Sequence, residues 1–125
     1  MVIEGAGGLL VPLNNKHFVI DLIEKFDAEV ILVSRNYLGN INHTLLSVEA
    51  LKNRKLKIAG IIFTCKENKE SEKIILNYSG LKFIGRVGEE RAINKRTIQK
   101  YSELFKNSKS QVPNSNPQPP MANFS

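Results

Sequence analysis

Val2-Ile3-Glu4-Gly5-Ala6-Gly7-Gly8-Leu9-Leu10-Val11-Pro12 is the stretch whose reading decides the fold. Val2-Ile3 is a short apolar run that reads as the buried end of a strand, and Glu4 stands where that strand emerges. Gly5, Gly7 and Gly8 follow, so the backbone can take positive φ and approach a ligand with no side chain between them. In an open α/β sheet, ligands gather at the carboxyl ends of the strands. An acid at such an end, beside backbone N–H groups, suits a divalent cation and the anionic oxygens it bridges. Taken alone, Gly-Ala-Gly-Gly reads equally well as a tight turn with Glu4 solvated. The strand-end acid and the apolar residues 9–12 behind the glycines favour a site.

Working outward, the chain alternates strand and helix four times. Residues 17–26 carry Phe18, Leu22, Ile23 and Phe26 at helical spacing. Residues 29–34 are a continuous apolar and β-branched run, the pattern of a parallel strand covered on both faces. Asn40 is the expected N-cap of a helix over residues 41–54, where Ile41, Leu45, Val48 and Leu51 recur. The N–H groups at that helix start are an anion site by construction. Residues 56–64 read as the next strand, and Asn68 or Ser71 starts a helix ending near Tyr78, with Gly80 as its stop. Residues 81–87 form the fourth strand, and residues 94–106 a last amphipathic helix. Such alternation implies an α/β fold with a parallel sheet and right-handed crossovers.

Residues 107–125 differ in character. They hold four of the five prolines among many Ser and Asn, a composition too poor in apolar groups to offset ordering entropy, so a disordered tail is expected after a single domain over residues 1–106. The formal charge of +6 comes from 18 basic and 12 acidic residues that interleave without a block of five like charges. That pattern fits a solvated surface rather than a nucleic-acid patch. The single Cys65 permits no internal disulfide, which fits a reducing cytoplasm. No run approaches the roughly 18–20 apolar residues needed to cross a bilayer, and no membrane association is expected.

Residues 2–13, with Val30-Ile31-Leu32-Val33-Ser34-Arg35-Asn36-Tyr37-Leu38-Gly39-Asn40-Ile41-Asn42-His43-Thr44-Leu45, resemble the motifs of the dethiobiotin synthetases. The resemblance continues through Gly60-Ile61-Ile62-Phe63, Glu70-Ser71-Glu72 and Ile84-Gly85-Arg86-Val87, and covers roughly residues 1–106. It implies a parallel sheet of the phosphate-loop NTPase type. It also implies a homodimeric ligase of biotin biosynthesis, which converts 7,8-diaminopelargonic acid, CO2 and ATP to dethiobiotin, ADP and phosphate through a carbamate and a carbamic–phosphoric anhydride.

By the same resemblance, Glu4 ligates Mg2+ at the nucleotide, and Gly7 and Gly8 lie beside the substrate. Leu38, Gly39, Asn40, Ile41 and Asn42 hold the substrate carboxylate across the dimer interface. Thr64 and Gly88 fall on the adenine side, where the family commonly has Asn and Pro; Thr lacks the paired donor and acceptor of an amide. The family's Gly-x-x-x-x-Gly-Lys-[Ser/Thr] loop, a catalytic Lys and a second metal-binding Asp do not occur in these 125 residues. The chain is therefore expected to be incomplete for catalysis by itself and to lack the strand beside residues 30–34, leaving Ile31 and Val33 uncovered. Two other readings stand beside this one: a non-catalytic interaction module that keeps the dimer face, and a phosphate-loop ATPase used in partitioning or metal-cluster work. The Leu-Gly-Asn-Ile-Asn-His stretch suits a small-molecule site and argues against the latter.

Overall fold

The computed structural model describes residues 1–108. Three parallel strands, β1 (Val30–Arg35), β2 (Ile58–Thr64) and β3 (Phe83–Val87), lie in the order β1-β2-β3. The helices α1 (Val19–Lys25), α2 (Asn40–Asn53), α3 (Lys69–Ser79) and α4 (Lys95–Ser108) alternate with them. Ser34 pairs with Phe63 and Phe63 with Arg86, so these three share one face; Val33, Ile62 and Gly85 share the other.

On the first face α2 and α3 pack side by side. The core there is Ile61, Phe63 and Ile75, all fully buried, with Leu32, Ile41, Leu76 and Leu81 against them. The Asn68 side chain caps α3 by accepting from Ser71 N at 3.1 Å, and Gly80 ends it in the left-handed conformation. On the second face α4 rests on β3. A Cβ at Gly85 would lie 2.4 Å from the Phe105 ring, so the glycine is what lets the helix seat.

Several expectations need correction. Val2-Ile3 forms no strand: both side chains are exposed, and residues 1–6 join no ladder with the described strands. An isolated strand leaves its N–H and C=O groups without partners, so the run stays irregular. The strand over residues 30–35 is covered on one face only. α4 sits over β3 and does not cover β1, which leaves Ile31 and Val33 53% and 60% exposed. That outcome matches the uncovered pair expected from the resemblance, not the two-sided burial read from composition.

α1 is shorter than residues 17–26 because Phe18 is extended and bridges Pro12. Its buried member is Ile20, whereas Phe18 and Phe26 remain exposed. Arg54, just after α2, ties α1 down through Asp21 and, at 3.2 Å, Glu24. The Phe18 N–H and then Arg54 hold the Asp21 carboxyl below its ordinary value. At the other end of the chain, α4 runs two residues past the expected end. Apart from residues 107 and 108, the expected disordered tail lies outside the described residues.

Candidate functional site

A cleft of about 1160 Å3 opens at the carboxyl end of β1 and runs between α2 and α3. Its walls include Asn36 and Tyr37, all of residues 38–42, and Lys66 and Asn68 opposite them. The fold thus brings Leu38, Gly39, Asn40, Ile41 and Asn42 into one concave surface at a helix start, where first-turn N–H groups lack intrahelical partners.

What holds that surface is a buried chain of polar side chains. The hydroxyls of Ser34 and Thr44 both donate to Asn40 Oδ1, at 2.7 and 2.8 Å. Asn40 Nδ2 donates to Asn36 Oδ1 at 2.9 Å, and Asn36 Nδ2 donates to Glu72 Oε1 at 2.5 Å and to the Lys66 carbonyl at 3.0 Å. Glu72 also accepts from Asn68 N at 3.1 Å and pairs with Arg86 through its other oxygen. Ser34, Asn40, Thr44 and Glu72 are all buried. Burial pushes the Glu72 carboxyl up, but the bonds from Arg86, Asn36 and the Asn68 N–H outweigh it and leave the group below its ordinary value.

Asn40 is therefore not the N-cap expected of it. Gly39 occupies that position with φ +96°, and Asn40 turns inward because two buried hydroxyls need its carbonyl oxygen. A Cβ on Gly39 would be strained at that φ and would lie 3.6 Å from the His43 ring. The Tyr37 hydroxyl is bonded to His43 Nδ1, which fixes an aromatic wall beside Leu38. Leu38 itself is fully exposed, and Asn42 is exposed on the first turn of α2. Lys66 adds a cation that makes no ion pair among the described residues.

Glu4, Gly7 and Gly8 are not brought into this cleft. Glu4 is exposed on the irregular lead-in and makes no side-chain hydrogen bond or ion pair among the described residues. Gly7 and Gly8 do take positive φ, +87° and +114°, and open space faces Gly8 where a side chain would stand. The loop behind them is anchored where the Leu9 and Val11 carbonyls accept from Ile20 N and Val19 N, each at 3.0 Å. Among the described residues no three His, Cys, Asp or Glu side chains gather as metal ligands. One free carboxylate fits Mg2+ only as a shared ligand, with water and phosphate oxygens completing the shell.

Thr64 and Gly88 do lie together, at the carboxyl ends of β2 and β3, where Thr64 pairs with Val87. Beside Gly88 is a smaller groove of about 430 Å3 against α4. The Gly88 N–H is already engaged there, donating to Tyr101 Oη at 2.9 Å, while Tyr101 and Lys100 both donate to Glu90. Lys100 and then Tyr101 hold the Glu90 carboxyl below its ordinary value. Sequence reasoning missed the roles of Asn36, Lys66, Glu72, Arg86 and Tyr101. Glu72 and Arg86 stand inside the motifs, but their pairing across α3 and β3 has no local signal.

Residues 1–97 match the family described as AAA domain, and the chain belongs to that family. Its parallel sheet with alternating helices is of the phosphate-loop NTPase type. Over 108 residues it is 52% identical to the ATP-dependent dethiobiotin synthetase BioD of Cytophaga hutchinsonii, which covers 86% of this chain and 52% of that protein. Over 106 residues it is 51% identical to the enzyme of the same name from Christiangramia forsetii, covering 85% of this chain and 51% of that one. The likeness to the dethiobiotin synthetases read from the motifs is borne out. The chain spans about half the length of the curated relatives it matches.

Proposed function

We propose that this chain supplies the diamino-acid side of a dethiobiotin synthetase, an ATP-dependent ligase that converts 7,8-diaminopelargonic acid and CO2 to dethiobiotin with release of ADP and phosphate. The observation that carries the reading is the turn at residues 38–42. It presents a helix start on the wall of a cleft large enough for a small molecule, and its shape is held by buried hydrogen bonds. A carboxylate placed at that helix start meets the N–H groups of Ile41 and Asn42, those of Asn40 and His43 being bonded to the Tyr37 and Gly39 carbonyls, and the positive end of the helix dipole. Lys66 across the cleft adds to the attraction.

Glu4 serves as one carboxylate ligand of Mg2+, which, when bound, neutralises phosphate oxygens during phosphoryl transfer. Gly7 and Gly8 let the backbone come close to the reacting groups. Thr64 and Gly88 border the base, with the Gly88 N–H free for it only when Tyr101 releases its bond. The exposed Leu38, Leu46 and Tyr78 around the cleft are the apolar surface on which a second copy closes the site as a homodimer. The compartment is the cytoplasm, consistent with one unpaired cysteine; among the described residues no helix is long and apolar enough to cross a membrane.

The test joins this chain to the portion of the Cytophaga relative that lies outside the aligned stretch. ATP-dependent formation of dethiobiotin from the diamino acid and bicarbonate is then measured. Turnover by the joined protein, and none by this chain alone, is the expected result. A joined protein that folds and binds ATP but makes no dethiobiotin refutes the reading in favour of a non-catalytic module.

A further inference from the structure

We propose that Glu72 is the positioning residue of the substrate turn: it ties residues 36–40 to α3 and β3 and so sets where the carboxylate of the diamino acid is held. The turn is fastened at both ends. At its far end, Asn40 is locked by Ser34 and Thr44. At its near end, Asn36 is held by one Glu72 oxygen, while Arg86 of β3 fixes the other oxygen. The Asn68 N–H then anchors Glu72 to the start of its own helix, α3.

Each member has a reason to stay. Glu72 is buried with a charge that only this set of donors compensates, so it cannot swing to water without losing them. Asn36 uses both ends of its amide, accepting from Asn40 and donating to Glu72 and the Lys66 carbonyl. The same side chain therefore places the turn and the segment that carries Lys66, on opposite walls of the cleft. Leu38 and Gly39, between the two fastened residues, are left projecting with no support of their own. Position in this site is thus decided by a carboxylate that does not line the cleft.

The effect on substrate rests on the reading of residues 38–42 as the carboxylate site; the effect on the turn rests on geometry alone. Hydrogen exchange on the 125-residue chain tests the second part. In Glu72→Gln the amides of residues 37–43 should exchange about tenfold faster, as expected for local opening after loss of a charge-assisted bond. Ile75→Val, which loosens the core without touching the turn, serves as the control and should leave those amides unchanged relative to the rest. Asn36→Ala keeps the Glu72–Arg86 pair and cuts the links from Glu72 to the turn and to the Lys66 carbonyl, so it should accelerate the same amides even where Glu72→Gln does not fold. Unchanged exchange in Asn36→Ala, or equal acceleration in Ile75→Val, overturns the proposal. In the joined enzyme, Asn36→Ala should raise KM for the diamino acid about tenfold with KM for ATP and kcat within about twofold. Faster exchange with an unchanged KM refutes the substrate reading of residues 38–42 while the tie itself stands.

Discussion

The lead-in at residues 1–8 and the turn at residues 36–42 are both glycine-bearing motifs, and they are built in opposite ways. In the turn, Asn36 and Asn40 are held by side-chain hydrogen bonds to buried partners, and Gly39 takes its left-handed conformation between them. In the lead-in, the Glu4 side chain makes no hydrogen bond or ion pair among the described residues, and Val2 and Ile3 stand exposed. A motif can thus be equally clear in sequence whether or not the chain's own contacts hold it. The turn is a finished surface. The lead-in presents Glu4 and its glycines without packing that would aim them.

The largest expected effect belongs to the loose region and is purely chemical. In the joined enzyme, Glu4→Gln should lower Mg2+-dependent turnover on the order of 100-fold, because the amide keeps the shape but not the charge a hard cation takes. Thermal unfolding of the same variant should be unmoved, since the Glu4 side chain makes no bond among the described residues. Full turnover across a magnesium titration would remove Glu4 from the site.

The held region should behave in reverse. Glu72→Ala leaves largely buried Arg86 with only the longer, 3.9 Å pair to half-exposed Glu67 and frees Asn36, at an expected cost of about 3 kcal/mol. A urea midpoint close to wild type would mean that water replaces the carboxylate and that the turn is less braced than its bonds imply. The effect also carries a pH signature. The folded-state Glu72 pKa lies below its ordinary 4.5, so its contribution is complete above that value and is lost as pH falls through the lower folded-state value. The stability difference between wild type and Glu72→Gln should therefore be constant from neutral pH down to about 5 and shrink below it. A difference that grows on acidification would reverse the assignment.

These contrasts explain what the sequence made legible. The helices α2 and α3 and all three strands follow from apolar period, and Asn68 and Gly80 mark the bounds of α3 by their own chemistry. The lead-in strand failed because a strand is defined by its neighbour, and no residue in Val2-Ile3 encodes whether one is present. Residues 38–42 were singled out by their resemblance to a family motif at a helix start, and the fold does bring them to one cleft. The Asn36–Glu72–Arg86 bonds were not, since they join residues 14 and 36 positions apart and each side chain alone looks solvated.

A smaller effect sharpens the comparison at the two glycines. Gly39→Ala forces a Cβ at φ +96° in a turn fastened at Asn36 and Asn40 and should cost about 1–2 kcal/mol. Gly8→Ala meets the same conformational penalty at φ +114°, but open space and an unbonded lead-in let the backbone relax, so its cost should stay below about 0.5 kcal/mol. Equal losses by chemical denaturation would show that the lead-in is held as firmly as the turn.

The smallest effect on stability separates scaffold from ligand contact inside the held region itself. Asn42 is exposed on the first turn of α2, on the cleft wall, and makes no side-chain hydrogen bond among the described residues. Its neighbour Asn40, two positions earlier, spends its whole amide on the fold. Asn42→Ala should therefore leave the unfolding midpoint within about 0.5 kcal/mol of wild type. In the joined enzyme it should raise KM for the diamino acid about fivefold, the size of one neutral hydrogen bond to a bound ligand, and leave ATP affinity alone. A selective loss of ATP affinity would exchange the roles of the β1 side and the β2–β3 side of the sheet's carboxyl end. A fall in stability with KM unchanged would instead make Asn42 a second brace and leave the carboxylate to the backbone N–H groups alone. In the expected case Asn42 resembles Glu4 in being free to meet a ligand, and differs from it in standing on a surface that the chain has already fixed.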